Sequence, residues 1–263
     1  MSNCIMSLKN KPLSYQETID RYDLALLRNG GQLILENGDI ARTKWGDLRF
    51  GTVAFNGLWR MVQHWRFNAG VVRELFDTTY AMGKELESQR KADKGAGRGE
   101  VRFYDMRAVE EHADPPSYVE REKLAALEFG QETYSSCTIL FLSNFLQQFR
   151  DDVEATDEAW KSSGPLYNGI SFGQVVVAAG NGVRHNDEWV KAKLPDKRQA
   201  NSTRVLETAF GHSLGGGQAL RKLPLYTLQA LSQLGRFDHM SASMFSFAHQ
   251  VALTMDAARS SAE

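Results

Sequence analysis

The side chains with the most varied chemistry in this sequence lie together in the segment Asn181–Trp189. Residues three or four apart on a helix are neighbours on one face, so Asn181, Arg184, His185 and Glu188 would form one polar stripe. Histidine exchanges protons near neutral pH, and arginine holds a phosphate or a carboxylate through paired donors. The stripe is therefore either a site for acid–base chemistry or a surface network in which Arg184 pairs with Glu188.

This segment resembles the arginine–histidine helix of HEPN-type all-α domains, many of which are RNA-cleaving toxins or defence proteins that often act as dimers. The resemblance implies that Arg184 and His185 lie at a dimer cleft, with the histidine as the acid–base group and the arginine on the scissile phosphate. It also implies a positioning role for Asn181. Within the polar stripe, Asn181 and Glu188 are the candidate substrate-binding residues. The family usually spaces its arginine and histidine about four to six residues apart. Here the two are adjacent, and the spaced pattern occurs at Arg107–His112 instead.

A second motif contains a serine. The segment 211–216, GHSLGG, resembles the nucleophile elbow of the class 3 lipases. That family needs the serine on a tight turn between a strand and a helix, followed by an acid and a histidine. For Ser213 the candidates are Asp238 and then His239 or His249. The preceding residues TRVLETAF have a helical pattern, so the alternative is a helix end followed by a glycine-rich loop.

An aromatic and basic cluster occurs at helical spacing and consists of Trp59, Arg60, His64, Trp65 and Arg66. Interleaved aromatic and arginine side chains can bind nucleic acid. The alternative is that the tryptophans belong to the core and the arginines lie at its rim.

Composition narrows the classes of function. The formal net charge is −1, so the protein as a whole has no strong electrostatic attraction for nucleic acid or anionic lipid. RNA binding would therefore need a local basic patch. The histidines lack metal-binding spacing and no CxxC pair is present, so neither a metal nor a cofactor is expected. The sequence has no run of about 18 apolar residues, so no membrane span is expected. The N-terminus lacks the apolar core of a signal peptide. A cytoplasmic protein with reduced Cys4 and Cys137 is expected.

The elements that must position these residues are mainly helices. Apolar residues at spacings of three and four predict long helices over Ala54–Lys91 and Ser117–Glu154. The longest apolar stretch, Cys137–Leu146, is interrupted at Thr138 and at Ser143-Asn144. The charged, glycine-rich segment 89–100 predicts a loop. Further helices are expected at 15–27, 168–192, 201–210, 224–235 and 240–258.

The expected fold class is mainly α, a helical bundle of five to seven helices with a small N-terminal β-meander near residues 32–55. Asn37-Gly38 is the strongest hairpin signal, because both positions accept a positive φ. Residues 1–53 form the N-terminal segment and residues 54–263 the helical domain, together one structural unit. The helices do not alternate with strands, which disfavours a doubly wound sheet.

Three functions stay open at this point. The first is a HEPN-like helical protein that acts on RNA or nucleotides in a toxin or phage-defence setting, with Arg184 and His185 as its central pair. The second is a non-catalytic interaction or scaffold protein that assembles with itself or with a protein partner. The third is a serine hydrolase that uses Ser213. A homo-oligomer or a protein partner is expected, and a membrane partner is not.

Overall fold

The computed structural model describes residues 12–28, 31–44, 46–95, 118–185, 188, 196–214, 221–233 and 235–260. In these ranges the chain is mainly helical, which confirms the predicted fold class. The helices of the described ranges are α1 (Tyr15–Arg21), α2 (Ala25–Arg28), α3 (Val53–Gly95), α4 (Tyr118–Asp152), α5 (Asp157–Ser162), α6 (Phe172–Arg184), α7 (Lys197–Phe210), α8 (Leu223–Leu231) and α9 (Phe237–Ser260). Two antiparallel strand pairs accompany them, β1 (Leu35–Glu36) with β2 (Asp39–Ile40) and β3 (Leu166–Tyr167) with β4 (Ile170–Ser171).

The long helices α3 and α4 pack against each other and form the frame of the fold. Helix α3 continues through residues 89–95, which the sequence predicted as a loop. Ion pairs between the two helices accompany this extension: Lys123 Nζ lies 2.9 Å from Glu85 Oε1, and Arg90 pairs with Glu128. Most residues of 89–95 are good helix formers, and the prediction gave too much weight to the glycines of this segment.

The core lies where α3, α4 and α9 meet. Trp65 of α3 is 2% exposed, and its ring centroid lies 5.7 Å from that of Phe145, 6.1 Å from Phe237 and 5.8 Å from Phe245. Helices α6 and α8 also pack on α4. Trp65 is therefore a core residue, as the second interpretation of the aromatic and basic cluster predicts.

The N-terminal helical segment is two helices rather than the single helix expected over 15–27. Asp23, with a φ of 53°, lies between α1 and α2 and breaks the helical backbone. The ring of Tyr22 stacks on Phe245 at 4.2 Å, and Leu24 is fully buried. These contacts hold the segment against α9.

The N-terminal β-meander is present, and its three extended segments close on one another. The Ile34 N–H donates to the Arg49 carbonyl at 3.0 Å, the Arg49 N–H to the Ala41 carbonyl at 2.9 Å, and the Ala41 N–H to the Ile34 carbonyl at 2.9 Å. Asn37 and Gly38 form the hairpin turn with φ values of 54° and 84°. Each segment of the β-meander thus pairs with both of the others.

His249 of α9 provides a pH-dependent tie to α2. Its Nε2 accepts a hydrogen bond from the Leu26 N–H at 3.3 Å. Burial lowers the pKa of His249 below its ordinary value of about 6.5; Asp23 raises this pKa and Arg28 lowers it. Between the folded-state pKa and the ordinary value, the unfolded chain binds more protons than the folded one. The free energy of unfolding is therefore expected to fall as the pH drops below about 6.5.

Urea unfolding of the wild type and of His249→Gln, at about pH 7.5 and about pH 5.5, measures this effect. Glutamine keeps an acceptor for the Leu26 N–H but does not titrate. The variant should lose less stability than the wild type between the two pH values. An equal loss in both proteins would show that His249 is not a source of the pH dependence.

Candidate functional site

Helix α6, which contains most of the polar stripe, starts after a tight hairpin. Asn168 and Gly169 have φ values of 48° and 83° and form the turn between β3 and β4, so the helix predicted from residue 168 begins instead at Phe172. Ser171 Oγ accepts from the Gln174 N–H at 3.3 Å, and Gln174 Oε1 accepts from the Ser171 N–H at 3.1 Å. This capping box fixes the first turn. The Asn-Gly dipeptide was a sequence signal for the hairpin.

Small residues bring α6 close to α4. A Cβ atom at Gly180 would lie 2.4 Å from Ser143 Oγ, a distance that real Cβ atoms do not show. Ala178 and Ala179, which precede this glycine, are buried. The close approach places Asn144, the neighbour of Ser143, beside the C-terminal end of α6.

Arg184 is the last residue of α6 and is held by two amide groups. Its Nη1 donates to Asn181 Oδ1 at 3.3 Å, and its Nη2 donates to Asn144 Oδ1. Asn181 Nδ2 in turn donates to Ser202 Oγ of α7 at 3.5 Å. Both acceptors of Arg184 are neutral, so these contacts orient the exposed guanidinium without cancelling its charge.

His185 follows the end of α6 as its C-terminal cap, so the polar stripe is not on one continuous helix. Its Nδ1 lies 3.0 Å from Glu188 Oε2, and the two side chains are 49% and 76% exposed. The described contact of the Glu188 carboxylate is thus with the imidazole, whereas the sequence alternative paired this carboxylate with Arg184. Asn186, Asp187, Trp189 and the segment Arg107–His112 lie outside the described residues.

The carboxylate–imidazole pair has a defined chemical capacity. A carboxylate that accepts a hydrogen bond from Nδ1 favours the tautomer with its proton on that nitrogen. Nε2 of His185 can then accept and return a proton. In the adjacent residue, the guanidinium of Arg184 offers the planar donor fork that suits a phosphate. The arrangement therefore combines an acid–base group and an anion-binding group in consecutive residues.

Two members of this site, Asn144 and Ser202, were not predicted. Ser143-Asn144 did stand out in the sequence as an interruption of the apolar stretch Cys137–Leu146. That interruption marks the place where α4 faces a polar neighbour rather than the core. The helix expected from residue 201 begins instead at Lys197, after the cap Asp196, whose Oδ1 accepts from the Gln199 N–H at 2.7 Å, so Ser202 lies within α7.

The G-x-S-x-G motif follows a helix rather than a strand. Helix α7 ends at a left-handed cap, Gly211, with a φ of 73°. Ser213 Oγ donates to Glu207 Oε1 at 2.9 Å, and the Leu214 N–H donates to the same oxygen at 3.1 Å. Residues 203–210 are helical, so the segment lacks the strand that a nucleophile elbow requires on its N-terminal side.

The residues proposed to activate Ser213 have other contacts. Asp238 Oδ1 accepts from Arg21 Nη2 at 2.8 Å and also pairs with Arg73. His249 accepts the N–H of Leu26. These contacts tie α9 to α1, α2 and α3, which is a structural role.

Similarity to known proteins does not assign a function to this chain. Among the residues that the structure describes, no three His, Cys, Asp or Glu side chains are grouped as a metal site. In the same part of the chain, no helix has the length and apolar character needed to cross a membrane. Comparisons with protein-family models, curated proteins and solved structures found no match. The chemistry of the side chains is therefore the basis for a proposed function.

Proposed function

We propose that this chain is a HEPN-like helical protein that acts on RNA in a toxin or phage-defence setting, with Arg184 and His185 as its central pair. One observation carries the proposal. The His185 imidazole is paired with a carboxylate through Nδ1, next to an arginine whose guanidinium is oriented by Asn144 and Asn181. Such a combination suits proton transfer at a phosphodiester.

In the proposed reaction, His185 Nε2 takes the proton of an RNA 2′-hydroxyl, whose oxygen attacks the adjacent phosphorus. The bond from phosphorus to the 5′-oxygen breaks, which leaves a 2′,3′-cyclic phosphate, and the leaving oxygen receives a proton from solvent water. Arg184 binds the non-bridging phosphate oxygens, where negative charge grows in the transition state. Asn181 and Glu188 position the substrate and the imidazole. DNA lacks the 2′-hydroxyl, so this chemistry is specific for RNA.

A second candidate is a non-catalytic assembly protein. Phe67 and Val71 are one turn apart on α3, and their exposed fractions are 75% and 58%. Exposed apolar side chains that share one helix face favour a contact with another protein surface. That function would require these two residues and would not require Arg184.

Arg184→Ala is expected to slow RNA cleavage by about 10–100-fold, because a hydrogen bond to a charged group contributes about 1.5–3 kcal/mol. The assay uses mixed RNA without added metal and the same sequences as DNA. Arg204→Ala is the matched control, since Arg204 is an exposed arginine on α7. Circular dichroism checks the fold of each variant.

Cleavage of RNA by the wild type and by the Arg204 variant, with slow cleavage by the Arg184 variant, supports the proposal. Equal rates in all three proteins would contradict the role of Arg184. Absence of cleavage by the folded wild type would favour the assembly function instead.

A further inference from the structure

A cavity of about 210 Å³ lies away from the Arg184 site, between the β-meander and the long helices. One wall is the β-meander, a second is the first two turns of α3, and the third is the chain at the end of α4. The cavity thus has contributions from three separate parts of the chain. It is smaller than the pockets of about 300–1,000 Å³ that hold drug-sized ligands, so its occupant must be small.

The carboxylates that line this cavity already have cationic partners. Asp47 and Asp152 each have an oxygen 3.6 Å from the guanidinium of Arg60. Glu154 Oε2 lies 2.6 Å from Arg259 Nη2 of α9. Each of these carboxylates thus has at least one arginine partner.

Arg42, Lys44 and Arg49 bring further cationic groups to the cavity. Arg42 Nη1 donates to the neutral Gly46 carbonyl at 3.1 Å. Arg49 Nη1 pairs with Glu36 Oε1 at 2.6 Å, but its buried Nε has no acceptor within the described residues. A buried donor without an acceptor is unfavourable. The wall therefore has both positive charge and donor capacity that its described contacts do not use.

The rest of the wall is partly apolar. Trp59 of α3 contributes its ring, and Leu48 and Val53 add aliphatic surface. A flat ligand group can stack on an indole ring, while a guanidinium fork matches a carboxylate or a phosphate. Both features occur in one small cavity.

We propose that this cavity binds a small organic anion, with its carboxylate or phosphate toward Arg42 and a flat apolar group against Trp59. The binding site is independent of the Arg184 site, because the two share no residue. Arg60 serves as a structural cation that holds Asp47 and the buried Asp152 in place. Arg42 is exposed, so its charge can be removed without uncovering a buried partner.

Four probes test the proposal on the full chain: benzoate, phenyl phosphate, benzamide and inorganic phosphate. Benzamide keeps the ring and lacks the charge, and inorganic phosphate keeps the charge and lacks the ring. Binding is titrated by isothermal titration calorimetry with the wild type, Arg42→Gln and the matched control Arg204→Gln. Thermal unfolding confirms that each variant is folded.

Benzoate or phenyl phosphate should bind the wild type at least about tenfold more tightly than benzamide or inorganic phosphate. The stronger of the two identifies the anionic group. Arg42→Gln should weaken that binding about tenfold or more, and Arg204→Gln should leave it unchanged. The proposal is overturned if neither aromatic anion binds, if benzamide binds equally well, or if the Arg42 variant binds like the wild type.

Discussion

His185→Ala is expected to lower the rate of RNA cleavage by about 10²–10⁴-fold, which is the usual contribution of a positioned acid–base group. The imidazole is the group proposed to move the proton, and alanine cannot replace it. His185 is exposed and lies beyond the end of α6, so its removal should leave the fold intact. Single-turnover cleavage of a defined RNA at saturating protein measures the chemical step.

Glu188→Gln separates orientation from proton transfer at the same site. Glutamine can still accept a hydrogen bond from His185 Nδ1 but carries no charge to stabilise the imidazolium. A loss of about 10–100-fold is expected, as for other groups that orient a functional histidine.

Cleavage by the folded His185→Ala variant at the wild-type rate would remove the imidazole from the mechanism.

Trp65→Ala is expected to reduce the free energy of unfolding by about 3–5 kcal/mol. Trp65 is 2% exposed and contacts the rings of Phe145, Phe237 and Phe245. Alanine would leave a cavity where α3, α4 and α9 meet, and well-packed helices relax only partly into such a space. Urea unfolding, followed by circular dichroism, measures the loss.

Phe67→Ala is the matched control, because Phe67 is an aromatic residue of the same helix with 75% of its surface exposed. Its replacement should change the free energy of unfolding by no more than about 0.5 kcal/mol. If both variants lost the same stability, Trp65 would not have the central place in the core that its contacts indicate.

Local sequence patterns were sufficient for much of the fold. The spacing of apolar residues located α3, α4 and α9, because each presents a buried face that repeats with the helical period. The hairpin turn at Asn37-Gly38 was predicted because it depends on only two residues. These elements follow from interactions within a short stretch of chain.

The differences arise where two local signals compete. Residues 89–95 combine good helix formers with the start of a glycine-rich stretch, and the prediction followed the glycines. Near the candidate site, the hairpin at Asn168-Gly169 does have a local signal, but the apolar run that follows it obscured the start of α6.

The candidate site was predicted in part. Asn181, Arg184, His185 and Glu188 lie in one short segment, so their proximity could be predicted from sequence spacing. His185 and Glu188 are three positions apart, so their contact was also within reach of sequence spacing, although the sequence alternative paired Glu188 with Arg184. Asn144 belongs to another helix, 40 positions earlier, and reaches Arg184 only through the packing of α4 on α6.

The closed pairing of the β-meander has a consequence for how this part of the chain opens. Loss of any one of its three segments breaks two of the three pairings, so partial opening gains little freedom and loses most of the hydrogen bonds. The amides of Ile34, Ala41 and Arg49 should therefore exchange with solvent deuterium as one cooperative unit.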